Sequence, residues 1–161
     1  MRKIFWKIST LLLAVLSLTA CSESRKDPCR LLSVAEVQAV DNTVAVAIWA
    51  GRDGERKEDE VCVFHTAEGD PRVMLFSWYD PETHPDQMVM EGAELQGGEF
   101  VELPGSGSRA VASFKGNELG LLAVQSPLGV VGIRVRKPVD RNSEELMALI
   151  QLAETALSRN R

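Results

Sequence analysis

The stretch RAVASFKGNELGLLAVQSPLGVVGIRVR, residues 109–136, is the clearest indication of the fold of this chain. Short polar turns divide it into three apolar segments: Arg109–Phe114, Leu119–Gln125 and Val130–Arg136. In the last segment a buried set alternates with a set that should face solvent: Val131, Ile133 and Val135 against Gly132, Arg134 and Arg136. Such alternation indicates a strand with one buried face, and strands joined by tight turns pair antiparallel. The stretch therefore predicts an antiparallel β-meander.

Further strands are predicted before this meander: Thr43–Trp49, Val61–Thr66, Arg72–Tyr79 and Phe100–Leu103. The first of them is apolar at both of its alternating sets of positions, which predicts that both of its faces are covered. Between the third and the fourth strand, Gln87–Leu95 is predicted to form one or two helical turns. The sheet is thus expected to contain about six to seven strands.

A short helix is predicted near the N-terminus, over Val34–Val40. Ser33 and Glu36 have the spacing of a capping box, in which each side chain bonds the backbone N–H of the other residue. Leu32 and Val37 flank this box as a hydrophobic staple would.

The C-terminal helix is predicted over Ser143–Ser158, capped by Asn142 or by Ser143. An apolar stripe at helical spacing carries this prediction: Leu146, Leu149, Ile150, Ala153 and Leu157. An antiparallel sheet with helices packed on it is an α+β architecture. We therefore predict an α+β fold in which N- and C-terminal helices pack on the sheet.

The first twenty residues resemble a bacterial lipoprotein signal peptide. A basic start precedes an apolar run over Ile8–Ala20, which is too short for the ~20 residues of a membrane-spanning helix. The run ends in LTAC, residues 18–21, which is similar to a lipobox. Residues 1–20 are therefore predicted to be removed, with Cys21 lipidated as the mature N-terminus. The alternative is an ordinary secreted protein cut near Ala20.

Lipidation would fix where the protein resides. A diacylglycerol and an N-acyl chain such as palmitate on one residue suffice for stable membrane anchoring. The tether over 21–28 reaches only about 25 Å when extended, so the single domain predicted over 29–161 would stay close to its membrane. Ser22 follows the lipidated position, which in a Gram-negative host indicates the outer membrane, facing the periplasm.

Charge and cysteine content narrow the choice of partners. The chain has a formal net charge of −5, and removal of the basic signal peptide makes it more acidic still, which excludes nucleic acid as a partner. With Cys21 lipidated, Cys29 and Cys62 remain as a pair in an oxidising compartment, which predicts a disulfide. Closing a loop of about 34 residues contributes roughly 3–4 kcal/mol of stability. The alternatives are two free thiols or, with less support, a zinc site.

Two segments resemble a known group of small bacterial lipoproteins, some of which carry the family label DUF3558. They are DPCRLLSVAEV, residues 27–37, and LPGSGSRA, residues 103–110, the second followed by a strand meander and a closing helix. The overall plan is similar to the α/β/α sandwich of the Mog1/PsbP class. The resemblance implies a sandwich-like fold, a Cys29–Cys62 disulfide and no catalytic residue.

None of the candidate catalytic or metal-binding motifs is complete. One acidic segment has the ligand spacing of a calcium loop. Its candidate ligands are Asp80, Glu82, His84, Asp86 and Glu91. Pro85, however, occupies the position where the sharp turn of such a loop needs glycine. Ser106 lacks the GxSxG context of a hydrolase, and the chain has only two histidines, His65 and His84. We therefore predict no catalytic residue, no metal and no cofactor.

The charged loop after the first predicted strand is a candidate contact for a protein partner, because rigid scaffolds present function on loops. It carries Arg52, Arg56 and Lys57. Trp49 and Trp78 are further candidate contacts, with core packing as the alternative for both. The hypothesis is a non-enzymatic, lipid-anchored envelope protein that binds a protein partner or a ligand near the membrane. The alternative is an envelope enzyme or enzyme inhibitor.

Overall fold

The computed structural model describes residues 27–50, 60–78, 84–104 and 108–159. A 3-10 helix at Pro28–Arg30 is followed by these elements: α1 (Val34–Gln38), β1 (Val46–Ala50), β2 (Glu60–His65), β3 (Pro71–Trp78), α2 (Pro85–Gln96), β4 (Glu99–Leu103), β5 (Arg109–Lys115), β6 (Glu118–Ser126), β7 (Gly129–Val135) and α3 (Glu144–Arg159). The strands and the C-terminal helix predicted from the sequence are present, and the helix between the third and the fourth strand is longer than the one or two turns predicted.

The strands form one seven-stranded sheet in the order β1-β2-β3-β7-β6-β5-β4. Every neighbouring pair is antiparallel, so the predicted α+β class with an antiparallel sheet is confirmed. The chain runs from one edge to the middle through β1, β2 and β3, and crosses to the other edge through α2. It then returns to the middle through β4 to β7. This path leaves β1 and β4 as the two edges of the sheet.

The larger apolar core lies against α3, which packs on β6 and β7. On β7 this core receives Val131, Ile133 and Val135. The stripe predicted for the C-terminal helix is buried in it: Leu146, Leu149, Ile150, Ala153 and Leu157. Full burial of an aliphatic side chain contributes about 1.5–3 kcal/mol, so this helix is a major source of stability. Ser143 is the predicted alternative that caps it, because its hydroxyl accepts a hydrogen bond from the Leu146 N–H at 3.1 Å.

A smaller core lies on the opposite face of the sheet, since adjacent residues of a strand point to opposite sides. Its buried members are Trp78, Val89, Val111, Ala123 and Val130. Helix α2 supplies Val89 and packs on β4, β5 and β6. Gly132, predicted to face solvent, is buried here because the Trp78 ring lies over it. A Cβ atom at this glycine would be 2.8 Å from two ring carbons, so only glycine allows this contact.

A disulfide between Cys29 and Cys62 attaches the N-terminal segment to β2, as predicted. The two Cα atoms are 5.0 Å apart, and the Cys62 side chain is fully buried. Helix α1 follows and begins with the predicted capping box. The Ser33 N–H donates to the Glu36 carboxylate at 2.8 Å, and the Glu36 N–H donates to the Ser33 hydroxyl at 3.3 Å. The N-terminal segment is therefore held in place both by a local capping box and by a long-range covalent bond.

An ion pair joins α1 to the end of α3. The Arg159 guanidinium donates two hydrogen bonds to the Glu36 carboxylate, at 2.6 and 2.9 Å, and a third to the Leu31 carbonyl at 3.0 Å. The hydrogen bond from Arg159, together with those from Ser33, lowers the pKa of Glu36 from its ordinary 4.5 to about 2. The two ends of the described chain are thereby held together.

Candidate functional site

The edge of the sheet at β1 exposes large apolar side chains. Among the described residues, the exposed large hydrophobics are Val46 (42%), Ile48 (50%), Trp49 (44%), Met90, Leu128 and Met147. The first three lie on β1, with Val46 and Ile48 together on one face and Trp49 on the other, whereas the others stand singly on α2, on the turn before β7 and on α3. A contiguous apolar patch marks an interaction site far more often than scattered apolar residues do. The strand β1 is therefore the candidate binding element.

This exposure corrects the prediction that both faces of the first strand are covered. The register pairs Ile48 with Val63 and Trp49 with Cys62, so β1 has a neighbouring strand on one side only. In the described part of the chain, α2 packs mainly on β4 to β6 and α3 on β6 and β7, away from this edge. An apolar strand at a sheet edge stays in contact with solvent even when its sequence resembles that of a buried strand.

The neighbouring strands extend the apolar surface inward. The face that carries Ile48 carries Val63 on β2 and Met74 on β3, which are successive register partners. At its inner end Phe76 stacks on Trp78, with the ring centroids 5.7 Å apart and the planes 6° from parallel. The surface thus runs from the sheet edge to the small core. We call it the open face, and its residues are Val46, Ile48, Val61, Val63, Met74 and Phe76.

The opposite edge, β4, is built from paired charges. Glu102 contacts Arg109 at 3.1 Å, and Glu99 forms an ion pair with Arg141. Arg109 also contacts Asp86, at the start of α2, at 2.7 Å. Charged side chains on an edge strand hinder its pairing with another chain. The sequence of β1, VAIWA, contains no charged residue, so this protection is absent from it.

A partly buried ion pair fixes the turn that leads into β1. The Asp41 carboxylate is only 4% exposed and accepts hydrogen bonds from the Thr43 N–H and hydroxyl, at 3.1 and 2.6 Å, and from the Arg72 guanidinium at 2.9 Å. Burial alone raises the pKa of Asp41. The Thr43 hydrogen bonds and the Arg72 charge outweigh burial and hold the pKa below its ordinary 3.8. The exposed strand is therefore presented on a fixed support.

Of the residues predicted to contact a partner, the structure describes only the two tryptophans, and they differ in exposure. Trp49 is exposed on β1. Trp78 is buried, as the core-packing alternative has it, and this removes it from the contact surface. The remaining predicted site residues lie outside the described residues: Cys21, Arg52, Arg56 and Lys57. Within the described ranges, no helix combines the length and the apolar character needed to cross a membrane.

Val46 and Ile48 carry no distinctive sequence signal of their own. The signal that identifies them is chain order. The first strand of an antiparallel meander has a neighbour on one side only, unless a later strand joins it, and here β7 inserts beside β3 instead.

No metal site can be built from the residues that the structure describes, since no three of their histidine, cysteine, aspartate or glutamate side chains are suitably grouped. In the segment with calcium-loop spacing, the Asp86 carboxylate forms an ion pair with Arg109. Asp80 and Glu82 lie outside the described ranges.

Nor do the described residues assemble a nucleophile with a base. The Cys62 sulfur is held in the disulfide. The His65 Nδ1 lies 2.9 Å from the Gly69 carbonyl, to which it can only donate. His84 precedes α2 without forming a side-chain capping bond. Ser106 lies in the part of the chain that is not described.

Comparison with known proteins adds no assignment to this geometry. No protein-family model, no curated protein and no solved structure matches the chain. A function must therefore be inferred from the β1 edge and the open face themselves.

Proposed function

We propose that this chain is a non-enzymatic, lipid-anchored envelope lipoprotein that binds a protein partner at the β1 edge and the open face. One observation carries the proposal: an edge strand with no charged residue exposes Val46, Ile48 and Trp49. Soluble proteins normally protect such an edge, because its unpaired backbone groups and apolar side chains invite pairing with another chain. An edge left unprotected in this way suits a strand-adding partner.

The expected binding mode is strand addition. An extended segment of the partner pairs with β1 through main-chain hydrogen bonds, which supply affinity, while its alternate side chains meet the two sides of the edge. On one side they meet Ile48 and the open face. On the other they meet Trp49, an aromatic residue of the type that dominates binding energy at interfaces.

The anchor and the location belong to the same proposal. Removal of residues 1–20 and lipidation of Cys21 would hold the domain close to the membrane, at the outer membrane facing the periplasm in a Gram-negative host. The Cys29–Cys62 disulfide supports an oxidising compartment. The DUF3558-like and Mog1/PsbP-like resemblance supports an α/β/α sandwich with helices from both ends of the chain packed on the sheet.

The test is in-cell photo-crosslinking of the full-length protein from position 46. It compares the wild type with Ile48→Lys and with a matched control, Met147→Lys. Ile48 and Met147 have similar exposures, 50% and 45%, but lie on β1 and on α3. We expect the wild type and the control to capture the same partner. Ile48→Lys should capture roughly tenfold less or lower still, because it places a charge against an apolar contact.

Three results would contradict the partner proposal: equal capture by Ile48→Lys, capture of a second copy of this chain, or no adduct at all. The anchor is tested separately by Cys21→Ala, which should release the protein from the membrane fraction. If the Cys21→Ala protein remains membrane-bound, the anchor is wrong, whatever happens at β1.

A further inference from the structure

A groove beside β6 and β7 has a charge opposite to that of the whole chain. It is an open cavity of about 390 Å³. Four of its lining residues are cationic and one is anionic: Lys115, Arg134, Arg136 and Lys137, with Glu118. The chain as a whole has a formal net charge of −5. The concentration of positive charge is therefore local and needs an explanation.

Both arginines of this groove lack a partner among the described residues, although carboxylates outnumber cations in the sequence. Neither Arg134 nor Arg136 forms an ion pair or a side-chain hydrogen bond with any described residue. Lys137, in contrast, contacts the Glu145 carboxylate and donates to the Val40 carbonyl at 2.7 Å. Every other described arginine pairs with a carboxylate: Arg30, Arg72, Arg109, Arg141 and Arg159. The unpaired arginines thus occur at one place only in the described part of the chain.

The strand geometry brings these two charges together. Arg134 and Arg136 are two positions apart, so they project from the same face, with Cα atoms roughly 6.5–7 Å apart along the strand. Both are exposed. Two guanidinium charges this close on one face repel each other, and an anion bound between them would remove that repulsion.

The β5–β6 hairpin supplies a third cation and open space. Lys115 ends β5 opposite Glu118, yet no ion pair forms between them. The register shifts between Ser113 and Phe114, which leaves Gly120 of β6 without a partner at a bulge. Bulges are frequent beside functional sites. Gly120 lines the groove without contributing a side chain, and this leaves room between Lys115 and β7.

We infer that this groove binds a small organic phosphate through Arg134, Arg136 and Lys115. Guanidinium groups bind phosphate oxygens in bidentate fashion, and lysine binds them as a point charge. Three cations without a partner among the described residues suit a ligand with more than one negative charge, and the volume suits a ligand larger than a lone ion. The same phosphate chemistry occurs in soluble organic phosphates and in phospholipid headgroups. The site does not include β1, but it borders the open face, because Arg134 is the register partner of Met74. The inference rests on the cations of the groove and not on a partner at β1.

The test measures binding of two probes to the full-length protein in neutral detergent by calorimetry. Inorganic pyrophosphate represents a soluble phosphate, and dihexanoyl phosphatidic acid represents a headgroup. The double variant Arg134→Gln/Arg136→Gln is compared with the control Arg30→Gln. The Arg30 side chain is 87% exposed, and its ion pair with Asp27 is long, at 3.9 Å. We expect saturable binding to the wild type and the control. The double variant should bind roughly tenfold more weakly or worse, because it loses two charged contacts.

The stronger of the two probes identifies the source of the phosphate, and equal binding shows recognition of the phosphate group alone. Absence of saturable binding for both probes, or unchanged binding by the double variant, overturns the inference. Thermal unfolding of each variant checks that it is folded. If the double variant unfolds early, Lys115→Gln takes its place and must weaken binding of the same probe.

Discussion

At β4 the sheet ends in carboxylates that are tied to arginines, with α2 packed beside them; at β1 it ends in an uncharged strand that exposes most of its side chains. The two edges belong to the same sheet and face the same solvent. The charged edge follows the usual protection of natural sheets against edge-to-edge pairing, and the apolar edge departs from it. The contrast indicates that one edge is kept closed while the other is available for contact.

The two edges also differ in what supports them. The β1 side rests on a disulfide into β2 and on the partly buried ion pair between Asp41, in the turn before β1, and Arg72 of β3. The β4 side rests on ion pairs whose side chains are substantially exposed, such as Arg109–Glu102 at 41% and 62%. Covalent and buried contacts contribute much more to stability than exposed pairs do. Removal of each support should therefore have a graded effect.

The largest effect is expected from Cys29→Ala/Cys62→Ala. Without the covalent loop, the unfolded chain regains conformational freedom, and the free energy of unfolding should fall by roughly 3–4 kcal/mol. Urea denaturation followed by circular dichroism measures this change. The wild type unfolded in the presence of a reductant serves as the control and should show a similar loss. A loss below about 1 kcal/mol in both would mean that the β1 side does not depend on its disulfide.

An intermediate effect is expected from Asp41→Asn. The change removes a charge-assisted bond to Arg72, and the free energy of unfolding should fall by about 2 kcal/mol at neutral pH. Asp70→Asn, at an exposed turn, is the control and should leave stability unchanged. Equal stability of the two variants would show that the turn before β1 needs no buried charge.

The same variant has a defined pH dependence. Because the folded state holds the pKa of Asp41 below its ordinary 3.8, the stabilisation is fully present above that pH. It is lost as the pH falls through the folded-state pKa. The wild type and Asp41→Asn should therefore converge in stability in acid, and a constant difference down to a pH of about 2 would contradict this assignment.

The smallest effect is expected at the closed edge. Glu102→Gln breaks an exposed ion pair, so the urea midpoint should not change resolvably. Partner capture from position 46 should be equally unaffected, in contrast to the loss expected for Ile48→Lys. A large drop in the midpoint would show that the β4 edge depends on its charges for stability as well as for protection.

Features that depend on local interactions could be predicted from the sequence. The capping box at Ser33 and Glu36 is one, because its partners are three residues apart. The buried stripe of α3 is another, since helical periodicity alone determines which residues share a face. The Cys29–Cys62 disulfide was also predictable, because the prediction needed only an expected oxidising compartment and an even number of remaining cysteines.

Features that depend on the order of strands in the sheet could not be predicted from the sequence. The exposure of Ile48 follows from the pairing of β3 with β7, which no alternation pattern records. The burial of Gly132 follows from the Trp78 ring of the neighbouring strand. Alternation does place Arg134 and Arg136 on the outer face, but their lack of a partner within the described part of the chain depends on where distant carboxylates lie.

The disulfide also determines how the domain responds to mechanical force. A pull on the chain before Cys29 is transmitted through the sulfur atoms to Cys62, in β2. The segment between these residues, which contains α1 and β1, lies in a covalent loop parallel to that path and bears almost no tension. Tension on the chain before Cys29 therefore loads the second strand of the sheet and spares the outermost one. Whatever contacts β1 would remain mechanically isolated from movements of the segment that precedes Cys29.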